Sequence, residues 1–158
     1  MRVHPLLWLL AALASVPACK GCSESDPLAE ATAAMEEIQA AAGRSDIAAL
    51  KQRVSESYQD VEGRNRQALH ELLTFHYLRN RTRHVYSVLV EITLVEPDEV
   101  RARVLAALAG QRVNTPADLA NIRADLFRFE FHLRNEDGDW QVVRTAWERA
   151  TPADFLFE

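Results

Sequence analysis

The chain has 158 residues, of which 48% are hydrophobic and 26% charged, with 5 glycines and 6 prolines. That length holds one domain, and the composition excludes a disordered, fibrous or low-complexity protein. A net charge of −5 argues against nucleic-acid binding, and 2 cysteines cannot build a disulfide framework or a four-cysteine zinc site.

The N-terminus reads as an address. Arg2 precedes an unbroken apolar run from Leu6 to Ala14. The run is long enough for a signal sequence and well short of the roughly 20 residues of a spanning helix. Val16-Pro17-Ala18-Cys19 follows and resembles the lipobox of bacterial lipoproteins. That resemblance implies a signal peptide over 1–18, a lipid on Cys19 and a tether over 19–27, with a single domain over 28–158. Cys22 is the poorer lipid acceptor, because Lys20 would fall inside its motif. Extended, the tether reaches roughly 25–30 Å, which keeps the domain near the membrane. Lys20 rather than an aspartate after the cysteine favours the outer membrane, facing the periplasm.

Leu28, Ala31, Met35, Ile38 and Ala42 recur at helical spacing, with Asp26 as cap, Pro27 at the first position and Gly43 at the end. Ser45 caps a short second helix carrying Ile47, Leu50 and Val54. After an irregular segment over 57–64, Asn65 caps a third helix to Arg79, with the stripe Leu69, Leu72, Leu73 and His76. From His84 the period becomes two. His84, Tyr86, Val88, Val90, Ile92 and Leu94 are assigned the inward face of a first strand, and Val100, Ala102, Val104, Ala106 and Leu108 that of a second. If Leu94 opposes Val100, then Glu91 opposes Arg103. Phe127, Phe129, Phe131 and Leu133 face inward on a third strand, and Arg128, Glu130, His132 and Arg134 outward. Asp137-Gly138 is a hairpin turn, and the last strand, Trp140 to Trp147, needs a bulge to keep its phase. Thr115-Pro116-Ala117-Asp118 and Thr151-Pro152-Ala153-Asp154 are two uses of one capping device.

Two helices, an irregular segment, a third helix and long antiparallel strands make an α+β order that resembles the nuclear transport factor 2-like superfamily. Its members include ketosteroid isomerases and polyketide cyclase-like proteins. The residues that carry the resemblance are Val54–Gly63 before the third helix and Asp137-Gly138-Asp139-Trp140-Gln141-Val142-Val143 in the last hairpin. It implies N-terminal helices packed on a curved antiparallel sheet, a cone that can open at its wide end.

An isomerase, dehydratase or cyclase acting there needs an acid or base aimed into the cone. In the phase assigned above the strands offer no inward carboxylate. Asp60 and His76 are the remaining candidates for catalysis, and Tyr58, Asp60, His76, His84 and Tyr86 for a ligand pocket. Each also has a structural reading: Asp60 caps a turn before Gly63, and His76 is a core histidine. Arg79, Arg81 and Arg83 suit the end of a helix, where cations favour its dipole, or a site for phosphate headgroups or an acidic partner. His70 and His76 are not spaced to share a zinc ion. No metal, cofactor or nucleic acid is expected. The reading leans away from an enzyme. It favours a membrane-anchored, non-enzymatic binding or assembly module whose partner is an envelope protein or a small apolar ligand. A homodimer is compatible with either reading.

Overall fold

The computed structural model describes residues 26–80 and 82–156. The signal sequence, the lipidation motif, Cys19 and Cys22 lie outside the described residues. Helix α1 (Pro27–Gly43) begins where the sequence predicts, with Asp26 Oδ1 accepting from Leu28 N at 3.0 Å. Its buried stripe is Ala31, Ala34, Met35, Ile38 and Ala41. Helix α2 (Ile47–Gln52) is capped by Asp46, not by the expected Ser45: Asp46 Oδ1 accepts from Ala49 N at 3.0 Å. A carboxylate is the stronger acceptor for a helix's unpaired N–H groups. Ser45 instead turns the chain, at φ 59°. Helix α3 (Arg66–Arg79) starts on Asn65, whose side chain accepts from Ala68 N at 3.0 Å.

The strands β1 (His84–Glu96), β2 (Glu99–Ala109), β3 (Ala124–Glu136) and β4 (Asp139–Arg149) form one antiparallel sheet in the order β1-β2-β3-β4. Asp137 and Gly138 close the last hairpin with φ 56° and 96°, the left-handed pair that a two-residue turn needs. The predicted register holds, for Leu94 pairs with Val100 and Glu91 with Arg103, with a 3.0 Å ion pair between the last two. The expected bulge in β4 lies opposite His132 and Leu133.

One face assignment is corrected. A bulge between Leu89 and Glu91 makes Leu89, Ser87 and Val85 partner Val104, Ala106 and Leu108. One extra residue switches every side chain before it to the other face. Val85, Ser87 and Leu89 therefore point inward with Ile92 and Leu94, while His84, Tyr86 and Val88 point outward.

The sheet has two apolar cores, one on each face. On the inner face, α1 covers Val100, Ala102, Val104, Leu133, Trp140 and Val142. On the outer face, Leu105, Ala107, Ala109 and Leu126 pack with Val113, Leu119 and Phe155. Two 3₁₀ turns, Pro116–Ala120 and Pro152–Phe155, supply that cover. Asp118 and Asp154 reach back to Thr115 N (3.0 Å) and Thr151 N (2.7 Å), as the repeated motif predicts. The rest of the outer face is a lattice of opposite charges: Arg103 with Glu91, Arg101 with Glu130, Arg128 with Glu148 and Arg134 with Glu99.

The free edge of β4 is met by Val54, which bridges to Val142, and Ser55 N donates to Val142 O at 3.0 Å. The buried Ser55 hydroxyl donates to both Glu136 oxygens, at 2.8 and 3.0 Å. Hydrogen bonds to charged groups contribute about 1.5–3 kcal/mol, so Ser55→Ala is expected to lower stability by about 2 kcal/mol in urea unfolding. A loss below about 0.5 kcal/mol would show that this edge is not held there. Among the described residues no helix is long and apolar enough to cross a membrane.

Candidate functional site

The inner face divides into a closed half and an open half. Under α1, Val100 is 1% exposed, Leu133 0% and Trp140 3%. Toward the starts of β1 and β3, Phe127, Phe129, Phe131, Trp147 and Leu108 are only half-buried, although the end of α1 reaches β1 there, Gln39 Nε2 donating to Ser87 Oγ at 3.2 Å, and Phe129 and Phe131 pack on the core under α1. Phe129 stacks on Phe131 with centroids 5.8 Å apart, and tilts against Phe127 (6.1 Å) and Trp147 (6.4 Å). These rings form an aromatic wall that solvent still reaches. Helix α3 has no buried residue, in contrast to α1, and Phe75 and Leu78 in its last turns are exposed. A sheet face left partly exposed in this way is a candidate surface for an apolar ligand.

The side wall is built from the segment between α2 and α3. The Tyr58 hydroxyl, 2% exposed, bonds to the Thr145 hydroxyl on β4. Burial, the largest influence, raises the Tyr58 pKa and keeps it a neutral phenol. Asp60 Oδ1 accepts from Glu62 N (2.8 Å) and Arg64 N (2.9 Å), and Oδ2 from Arg64 Nε (2.6 Å). Burial pushes the Asp60 pKa up more than any single other influence. The Arg64 bond and the two backbone bonds together outweigh it, so the carboxyl titrates below its ordinary 3.8. The turn closes at Gly63, φ 78°. Arg64 then lies over Trp147, 4.7 Å from the ring centroid, with Nη1 on Glu62 at 2.7 Å. Its Nη2 is buried without an acceptor.

At the open end, Asp125 continues the alternation of Phe127 onto the inner face, beside Leu108. Arg83 and Arg149 both pair with it, Arg149 at 3.2 Å, and hold its pKa below 3.8. Arg149 also lies 5.1 Å over the Phe127 ring.

Of the five expected pocket residues, the fold brings only Tyr58 and Asp60 together. His76 is exposed on α3 against Phe75 (5.9 Å, edge-on), outside the half-buried stripe of Leu69, Leu72 and Leu73. His84 and Tyr86 are on the outer face for the bulge reason given above, and Tyr86 packs on the Leu105 core. The sequence reading missed Arg64, Trp147, Thr145, Asp125 and Arg149. Asp125 was open to discovery, being two residues before Phe127 in the same period. The Arg64–Trp147 contact joins distant segments and leaves no local signal.

His70, at the start of α3, has an unpartnered buried Nε2. Burial, then the charges of Arg66 and Lys51, lower its pKa from 6.5. The unfolded chain therefore takes up this proton at a higher pH than the native one. The associated stability is present above pH 6.5 and falls as the pH drops below it. Asp60, Asp118, Asp125 and Asp154 are likewise lowered from 3.8, and Glu130 from 4.5. Their contribution is present above those values and falls below them. Thermal melts at a series of pH values are expected to show a shallow decline beginning at His70 and a steep one below about pH 4. His70→Asn removes the first and keeps the second; an unchanged first decline would assign it elsewhere.

Two clefts also open on the surface. One of about 410 Å³, at the β4 edge where the segment before α3 meets the sheet, is bordered by Ser57, Asp60, Glu99, His132, Arg134 and Arg144, with Val100 and Leu133 of the inner core at its floor. A smaller one of about 220 Å³ is bordered by Arg103, Arg128 and Asp154. Most of their charged groups already face opposite charges. Among the described residues no three His, Cys, Asp or Glu side chains are grouped to hold a metal ion.

No protein-family model and no curated protein matches the chain. Solved structures do. A ketosteroid isomerase-like protein from Erwinia carotovora atroseptica superposes with a TM-score of 0.60 at 18% identity, over 80% of this chain and 98% of that one. A nuclear transport factor 2-like protein of unknown function from Shewanella baltica gives 0.54 at 13% identity, over 78% and 93%. A domain of unknown function with a cystatin-like fold from Nostoc punctiforme gives 0.58 at 15% identity, over 82% of each chain. Identities this low speak to fold and not to activity. The described residues share the fold of these structures, helices packed on a curved four-stranded antiparallel sheet.

Proposed function

We propose that the protein is a bacterial envelope lipoprotein, anchored through Cys19 in the outer membrane, whose domain binds a small apolar ligand on the open half of the inner face without transforming it. The observation that carries the binding reading is the aromatic wall of Phe127, Phe129, Phe131 and Trp147, four large rings that are only half-buried on the inner face of the sheet.

What supports the non-enzymatic reading is the state of the acids. Isomerase or dehydratase chemistry needs a base whose pKa lies near the working pH. Asp60 and Asp125 are both paired to arginine and lowered, so each is a weak base already engaged. Asp60 acts as the cap of its own turn.

The anchor is tested with the full chain in a bacterial host fed a labelled fatty acid. The wild type is expected to carry the label and to sediment with outer membranes; Cys19→Ala is expected to lose both, while Cys22→Ala keeps them. A wild type without label would refute the lipid anchor. The binding half is tested with phenylnaphthylamine, a neutral apolar fluorophore. Its emission should rise on the processed chain and fall back with Phe129→Ser, provided the variant still melts cooperatively. No rise with the wild type would refute it.

A further inference from the structure

The open half of the inner face has a charged rim in which the arginines outnumber the acid. The register places the starts of β1 and β3 beside the ends of β2 and β4. Arg83 and Arg149 meet there on Asp125. The acid that faces them on the inner side is Asp125, which accepts from both Arg83 and Arg149. Arg149 is 73% exposed in its side chain and makes one 3.2 Å contact, so most of its five donors are free. Arg79 lies 5.8 Å over Phe75 and Arg149 5.1 Å over Phe127, so both cations sit directly on aromatic rings.

The other end of the sheet has the opposite sign. Glu96, Asp98 and Glu99 crowd the β1–β2 turn, and Glu136, Asp137 and Asp139 the β3–β4 turn, with Arg134 among them. The chain as a whole is acidic. A basic mouth on an acidic molecule concentrates anions at that one place. The surface just inside the mouth is aromatic. A ligand that satisfies both has an apolar body and a single anionic head.

On the reading of the inner face given above, we propose that this ligand is an amphipathic anion. Its aromatic or acyl body lies on Phe127 and Phe129, and its carboxylate or other anionic head lies on the free donors of Arg149 at the rim, outside the Arg83–Asp125 pair. An arginine suits that head because its planar fork gives two parallel hydrogen bonds to a carboxylate.

The test compares two fluorophores of the same ring skeleton on the processed full chain: anilinonaphthalene sulfonate, which is anionic, and phenylnaphthylamine, which is neutral. The proposal expects both to bind, with the anion tighter by about tenfold at low salt and the advantage shrinking as salt rises. The double variant Arg83→Gln, Arg149→Gln is expected to erase the advantage and leave the neutral probe bound, while the still cooperative melt falls by the support that Asp125 loses with its two partners. Displacement of the anion by dodecanoate but not by benzoate assigns an acyl body, and the reverse an aromatic one. Equal affinity for the two probes, or an advantage that survives the double variant, would overturn the anionic head while leaving the apolar face standing. Failure of both probes would overturn the binding reading itself. Displacement by polyglutamate but by neither small acid would make the rim a surface for an acidic macromolecule and overturn the proposal.

Discussion

Asp60→Ala is expected to destabilise the domain by about 3 kcal/mol, because removing one partner of a buried ion pair leaves the other charge without compensation. The Asp60 side chain is 0% exposed and Arg64 27%. The variant loses the Arg64 pair and both turn bonds, from Glu62 N and Arg64 N. Asp60→Asn keeps an oxygen for those N–H groups and loses only the charge, so it should cost about half as much. Chemical unfolding of the three proteins measures the series. A catalytic role gives a different pattern: Asp60→Asn would fold like the wild type and differ only in an activity. Equal stability of wild type and Asp60→Ala would contradict the structural role.

Trp140→Ala should cost about 3–5 kcal/mol, the range for removing a large buried aromatic. Trp140 is 3% exposed, belongs to the core under α1, and its indole N–H faces Glu30 Oε2 at 3.5 Å. It joins the start of β4 to the first turns of α1, so its loss opens a cavity in the closed half of the inner face. Trp147 is the contrast. It is half-buried on the open half, and Trp147→Ala should cost markedly less while weakening ligand binding. The pair of variants separates the two halves. If both tryptophans cost the same stability and neither touches binding, the division of the inner face into core and site is wrong.

The sheet was legible where charge and period agreed. Glu91 and Arg103 mark the β1–β2 register, because opposite charges facing each other across a strand pair are independent of the apolar count. The bulge at Val90 was not legible. It lies inside Val88-Leu89-Val90, where either face is apolar and no glycine or proline marks the break. That single residue moved His84 and Tyr86 to the outer face and took them out of the expected pocket. Asp60 was legible as a turn cap through Gly63, since an acid before a positive-φ glycine is a local pattern. What makes the site more than a turn, Arg64 over Trp147, depends on how the segment before α3 meets β4. His76 falls in the periodic stripe of α3 by sequence, yet burial along that helix ends at Thr74 and leaves it exposed.

The central claim is that the half-open aromatic face holds a ligand. The most direct measurement is a crystal structure of the processed chain grown with anilinonaphthalene sulfonate. The account predicts the probe's rings against Phe127 and Phe129 and its sulfonate on Arg149. A probe seated on the outer face, or an α3 folded down so that Phe127, Phe129 and Phe131 are fully covered, would contradict it.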